Sequence, residues 1–141
     1  MKTLKSVTLA LALLITCSFA KAADEPTANL TRVHAINVYL DAMTRGKVEG
    51  LSQVVDASAK FSMLRGNTIM SFDKKQMTDF LKAEKNVEQT CTTNTEVVES
   101  NLNIAVVKVD MKYHDFTRSN YVTIANTGKG WKITNVYSVF K

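Results

Sequence analysis

The pair His114-Asp115, flanked by Tyr113 and Phe116, carries the side chains of a base and the carboxylate that would orient it. Successive strand side chains point to opposite faces, so these two share a pocket only if the strand has already turned. No activated nucleophile accompanies them, and the pair is expected at the start of a turn rather than in a catalytic site. His34 and Asp41 stand seven residues apart, on one helix face but two turns distant. Asp41 has a nearer use as an i,i+4 partner for Arg45. With two histidines and no His, Cys or Glu at ligand spacing, no metal site is expected, and no cofactor is implied. Cys91 has no basic neighbour in sequence to activate it and is expected to pack as a small apolar group.

These residues must be positioned by elements that the apolar pattern outlines. Asp24, Glu25 and Pro26 suit the first turn of a helix, and Leu30, Val33, Ile36, Leu40 and Met43 repeat at helical spacing with Tyr39 beside them. Gly46 ends that helix. A second helix is expected over about 48–55, burying Val48, Leu51, Val54 and Val55. A hairpin follows, with strands at 60–64 and 68–71 around Arg65-Gly66-Asn67. Asp73 and Gln76 form a capping box for a third helix, whose apolar side is Met77, Phe80 and Leu81. From residue 86 the period becomes two, giving strands near 87–98, 102–113, 119–126 and 131–140. Helices segregated from an antiparallel meander define an α+β fold.

The first 22 residues stand apart from this domain. A basic start, an apolar run from Val7 to Ile15 and an Ala20-Lys21-Ala22 site have the layout of a secretory signal peptide. The run is shorter than the ~20 residues of a membrane span. The chain is therefore expected to be exported, periplasmic or secreted, after cleavage near Ala22, leaving residues 23–141 as one domain. Lys2, Lys5 and Lys21 leave with the leader, so 15 basic residues face 13 acidic ones and the formal charge falls from +5 to +2. With charges of both signs interspersed, nucleic acid is not an expected partner. Cys17 also leaves, so Cys91 has no partner for an internal disulfide.

The stretch Ala35-Ile36-Asn37-Val38-Tyr39-Leu40-Asp41-Ala42-Met43, then Gly46-Lys47-Val48-Glu49-Gly50-Leu51, and the ending Gly130-Trp131-Lys132-Ile133 resemble the nuclear transport factor 2-like superfamily. The secreted bacterial members of lumazine-binding-like or polyketide-cyclase-like type are the nearest in kind. The resemblance covers residues 23–141. It implies a cone: a curved antiparallel sheet wrapped around about three helices, with a pocket at the open end. The superfamily spans enzymes and binding proteins, so its fold leaves activity undetermined. Its ketosteroid isomerases use a first-helix tyrosine, an aspartate base and a protonated aspartate. Matching the first helix places Tyr39 on the tyrosine, Met63 on the base and Tyr121 near the third position, with Asp110 and Asp115 the closest acids. Methionine cannot abstract a proton, so that chemistry is not expected.

Strand alternation then nominates a pocket. Met111 and Tyr113 share a face with Ala105, Val107 and Val109, Gln89 shares one with Cys91, and Asn135 and Tyr137 share one with Trp131 and Ile133. The expected lining is Tyr39, Met63, Phe80, Gln89, Met111, Tyr113, Asn135 and Tyr137, an apolar wall with a few polar groups. The expected function is binding of a small apolar or aromatic molecule without catalysis. The alternatives are a dehydratase, isomerase or cyclase using Tyr39, and an envelope protein that pairs with itself through the open sheet face.

Overall fold

The computed structural model of the protein describes residues 31–141. The leader, its cleavage site, the 24–26 helix start and Leu30 lie outside the described residues. Helix α1 (Arg32–Arg45) opens on Thr31, whose hydroxyl accepts from the His34 backbone N–H at 3.1 Å. It closes on Gly46 at φ +64°. A Cβ there would sit 2.5 Å from the Asn86 backbone nitrogen, so only glycine lets the end of α1 meet the 84–87 loop. The buried stripe of α1 is Ala35, Ile36, Tyr39 and Ala42, whereas Val33 is 68% exposed. Of the expected stripe, Ile36 and Tyr39 are buried and Leu40 and Met43 pack against the core, while Val33 alone among the described residues faces out and Ala35 and Ala42 were not foreseen. Alanines carry little apolar signal, yet they let the helix approach the sheet closely.

Helix α2 (Leu51–Val54) is one turn, shorter than the expected 48–55, because Val55 already belongs to a strand. Strands β1 (Val55–Arg65) and β2 (Thr68–Asp73) form the hairpin, turning through Gly66. Helix α3 (Lys74–Ala83) carries the full Asp73/Gln76 capping box. Met77 and Leu81 are its buried residues, while Phe80 is 64% exposed. The meander is β3 (Thr92–Ser100), β4 (Ile104–Lys112), β5 (Thr117–Asn126) and β6 (Trp131–Phe140). Residues 87–91, expected in the first of these strands, instead link α3 to it, and the Gln89 N–H donates to Thr44 O at 2.6 Å.

The six strands form one sheet in the order β2-β1-β6-β5-β4-β3. Every pairing is antiparallel except β1 with β6, which is parallel. The sheet is therefore mixed, where a fully antiparallel one was expected. Strand periodicity reveals direction between neighbours in sequence, but not between the first strand and the last. On the concave face Val107, Val122, Ile124, Ile133 and Val136 pack under Leu51, Val54 and Ile36. Strand β3 is exposed along its whole length, and its threonines and glutamates suit an edge that must resist further pairing.

One irregularity decides what reaches the interior. Thr123 pairs with Asn135, but the next residue, Ile124, pairs with Ile133, which leaves Thr134 as an extra residue in β6. A bulge of this kind reverses the in/out alternation beyond it. Val136 and Ser138 are buried in consequence, and Asn135 and Tyr137 fall on the convex face with Thr123 and Tyr121. The expectation that Asn135 and Tyr137 line the pocket is corrected by that single residue.

Candidate functional site

Beyond the apolar core, the same concave face becomes polar. Arg118, Asn120 and Ser138 lie on inward positions of β5 and β6, next to Met111 of β4. Arg118 Nε donates to Asn120 Oδ1 at 3.0 Å, and its Nη2 donates to Ser138 Oγ at 3.2 Å. Ser138 Oγ donates in turn to Asn120 Oδ1 at 2.5 Å. Asn120 Nδ2 has only the Met111 sulfur, at 3.6 Å. The guanidinium carbon also sits 5.7 Å from the centre of the Phe140 ring. Phe116 lies against Phe140 and stacks on Tyr113 at 4.6 Å.

Tyr39 projects from α1 toward this cluster. It is 1% exposed, and its hydroxyl is the one buried side-chain polar atom among the described residues without a hydrogen-bond partner. Burial pushes its phenol up to about 12, and the positive charge of Arg118 opposes that rise. Burial also raises the Tyr113 phenol, with Cys91 adding to the effect.

Between α3 and this end of the sheet lies a cleft of about 520 Å³. Met43, Met63, Phe72, Met77 and Phe80 form its apolar wall. Gln76, Asp79 and Arg118 are its polar members. The volume and the balance of groups match those of a small-molecule site. Asp79 is held by Lys75 at 2.5 Å, one helical turn away. Among the described residues no carboxylate forms an ion pair with Arg118.

The nominated residues divide into groups. Met63 and Phe80 line the cleft, Phe80 at its exposed mouth. Tyr39 and Met111 are fully buried beside the polar cluster, and Tyr113 is half-buried against the core. Gln89 is half-buried in the α3–β3 link and is not a lining residue. His114 and Asp115 do bond, Nδ1 to Oδ1 at 2.6 Å, but with 96% and 86% of their side chains in solvent. They stand in a bend after β4. Arg118, Asn120 and Ser138 were missed. Starting β5 at Thr117 instead of residue 119 aligns Arg118 and Asn120 with Val122 and Ile124, a polar pair on an otherwise apolar face. Ser138 was hidden by the bulge.

The architecture is that of the nuclear transport factor 2-like class. It resembles an NTF2-like protein of unknown function from Silicibacter pomeroyi at TM-score 0.62 and 16% identity, over 77% of this chain and 90% of that one. A second, from Shewanella baltica, gives 0.62 at 10% identity over the same shares. A putative ketosteroid isomerase from Parabacteroides distasonis gives 0.55 at 14% identity, covering 77% of this chain and 86% of that one. None of the curated proteins matches the sequence. Within that class the chain belongs to the family described as "Putative lumazine-binding", whose model matches residues 30–138.

Proposed function

We propose that the protein binds a small, largely apolar or aromatic molecule in the cleft between α3 and the sheet, and does not transform it. The observation that carries this reading is the cleft itself: about 520 Å³, walled by methionines and phenylalanines, with a few fixed polar groups at one side. Methionine-rich walls adapt to ligands of varied outline. The family description, which names lumazine binding, supports a flat heterocycle or a molecule of similar size. Met63 faces the cleft where an isomerase of this class would carry its base, which supports binding over proton abstraction. Saturable shifts of Met63, Met77 and Phe80 methyl and ring signals on titration with 2-naphthamide test the reading; unchanged spectra up to the solubility limit sink it.

Export belongs to the same reading. A ligand-binding domain behind a cleavable leader would act outside the cytoplasm, and the intact mass of protein recovered from the expressing cell's envelope should begin at Ala23. Self-pairing through the convex face is a further part of it, since Tyr121 and Tyr137 sit side by side there. Light scattering on the purified domain decides between one copy and two.

A further inference from the structure

We propose that the cleft selects a molecule carrying an anionic group, a carboxylate on an apolar or aromatic body, with Arg118 as its counter-ion. This rests on the cleft being a ligand site, as argued above. Arg118 is a lining residue of the cleft. A guanidinium offers five N–H groups in a rigid fork. The two bonds it makes here go to an amide oxygen and a serine hydroxyl, both uncharged. The Phe140 ring covers it from a third direction. These contacts hold the fork in place without neutralising it, so little rotamer freedom remains to be lost when an anion arrives.

A purely structural arginine fits these observations less well. Arg118 is half-buried, so its charge is only partly solvated and gains from a counter-charge. Here the only carboxylate lining the cleft, Asp79, is held by Lys75 instead. Two neutral hydrogen bonds across the end of the sheet need no charge at all.

A matched pair of probes tests this: 2-naphthoate and its neutral analogue 2-naphthamide, titrated calorimetrically into the purified domain. The expected result is at least tenfold tighter binding of the naphthoate. That advantage should vanish in Arg118→Met. Raising salt from about 50 to about 500 mM should weaken naphthoate severalfold and spare naphthamide. The salt comparison needs no variant and still decides the matter if Arg118→Met fails to fold. Equal affinity of the two probes, insensitive to salt, would overturn anion selection while leaving the apolar cleft intact. Binding of neither probe would remove the cleft as a ligand site and the proposal with it.

Discussion

Two stretches of one concave sheet face are built on different terms. Around Val122, Ile124, Ile133 and Val136 the face is buried and covered by α1 and α2. A few residues along the same strands, Arg118, Asn120 and Ser138 replace the aliphatic side chains, and a cleft replaces the helices. The backbone pairing continues unbroken between them. What differs is what covers the strands, and that determines which side chains the fold can accept. The sealed end holds the sheet together. The polar end is where the proposed ligand would bind.

This division can be broken at either end. Ile133→Ala at the sealed end should cost about 3–4 kcal/mol of stability in denaturant titration, as a cavity opens in a region that cannot collapse. The affinity of the folded fraction for 2-naphthoate should not move. The next effect is at the junction. Tyr39 has its phenol raised from 10.0 to about 12, so the folded state holds its proton where the unfolded chain has lost it. Stability is therefore full below pH 10 and should fall by about 2–3 kcal/mol as pH rises toward 12. Unfolding curves of Tyr39→Phe should lose most of that alkaline slope. They should also show no penalty at pH 7, because the missing hydroxyl had no partner.

Smaller effects are expected at the polar end. Ser138→Ala leaves Arg118 Nη2 and Asn120 Oδ1 one bond short, and should cost about 1–2 kcal/mol. It should weaken naphthoate more than naphthamide, since the guanidinium loses one of its fixings. Phe80→Ala should be smallest of all in stability, within about 0.5 kcal/mol, because most of the ring is already in water. It should nevertheless weaken both probes alike by removing part of the apolar wall. If Phe80→Ala were instead the most destabilising of the four, the contrast between the two ends would fail.

Much of the fold was legible in the residues. The capping box at Asp73 and Gln76, the closing glycine at 46 and the period-two runs after residue 100 are local signals, and each element appears where they put it. The resemblance carried by Tyr39 and the Gly130-Trp131-Lys132-Ile133 ending supplied the cone. The site was legible only in part. Met63, Phe80 and Tyr39 follow from helix and strand faces. Asn135 and Tyr137 were assigned inward by an alternation that Thr134 interrupts, and a bulge leaves no mark in an otherwise regular strand sequence. Arg118 was lost because the 114–118 stretch reads as a turn, whereas β5 already begins at Thr117.

The parallel contact between β1 and β6 has a consequence for the order of events in making this molecule. Phe61 lies beside Val136, and Met63 beside Ser138. The β1–β2 hairpin emerges early in synthesis, yet the only strand that can hold its other edge is the last to appear. Until then the growing chain presents two open strand edges, on β1 and on β5, that belong to each other's neighbour and can find the wrong one. Such a long closure in sequence slows folding relative to a helical domain of this size. A nascent chain arrested before Trp131 should therefore be a client for chaperones, and the ten residues of β6 act as the clasp whose arrival ends that vulnerable interval.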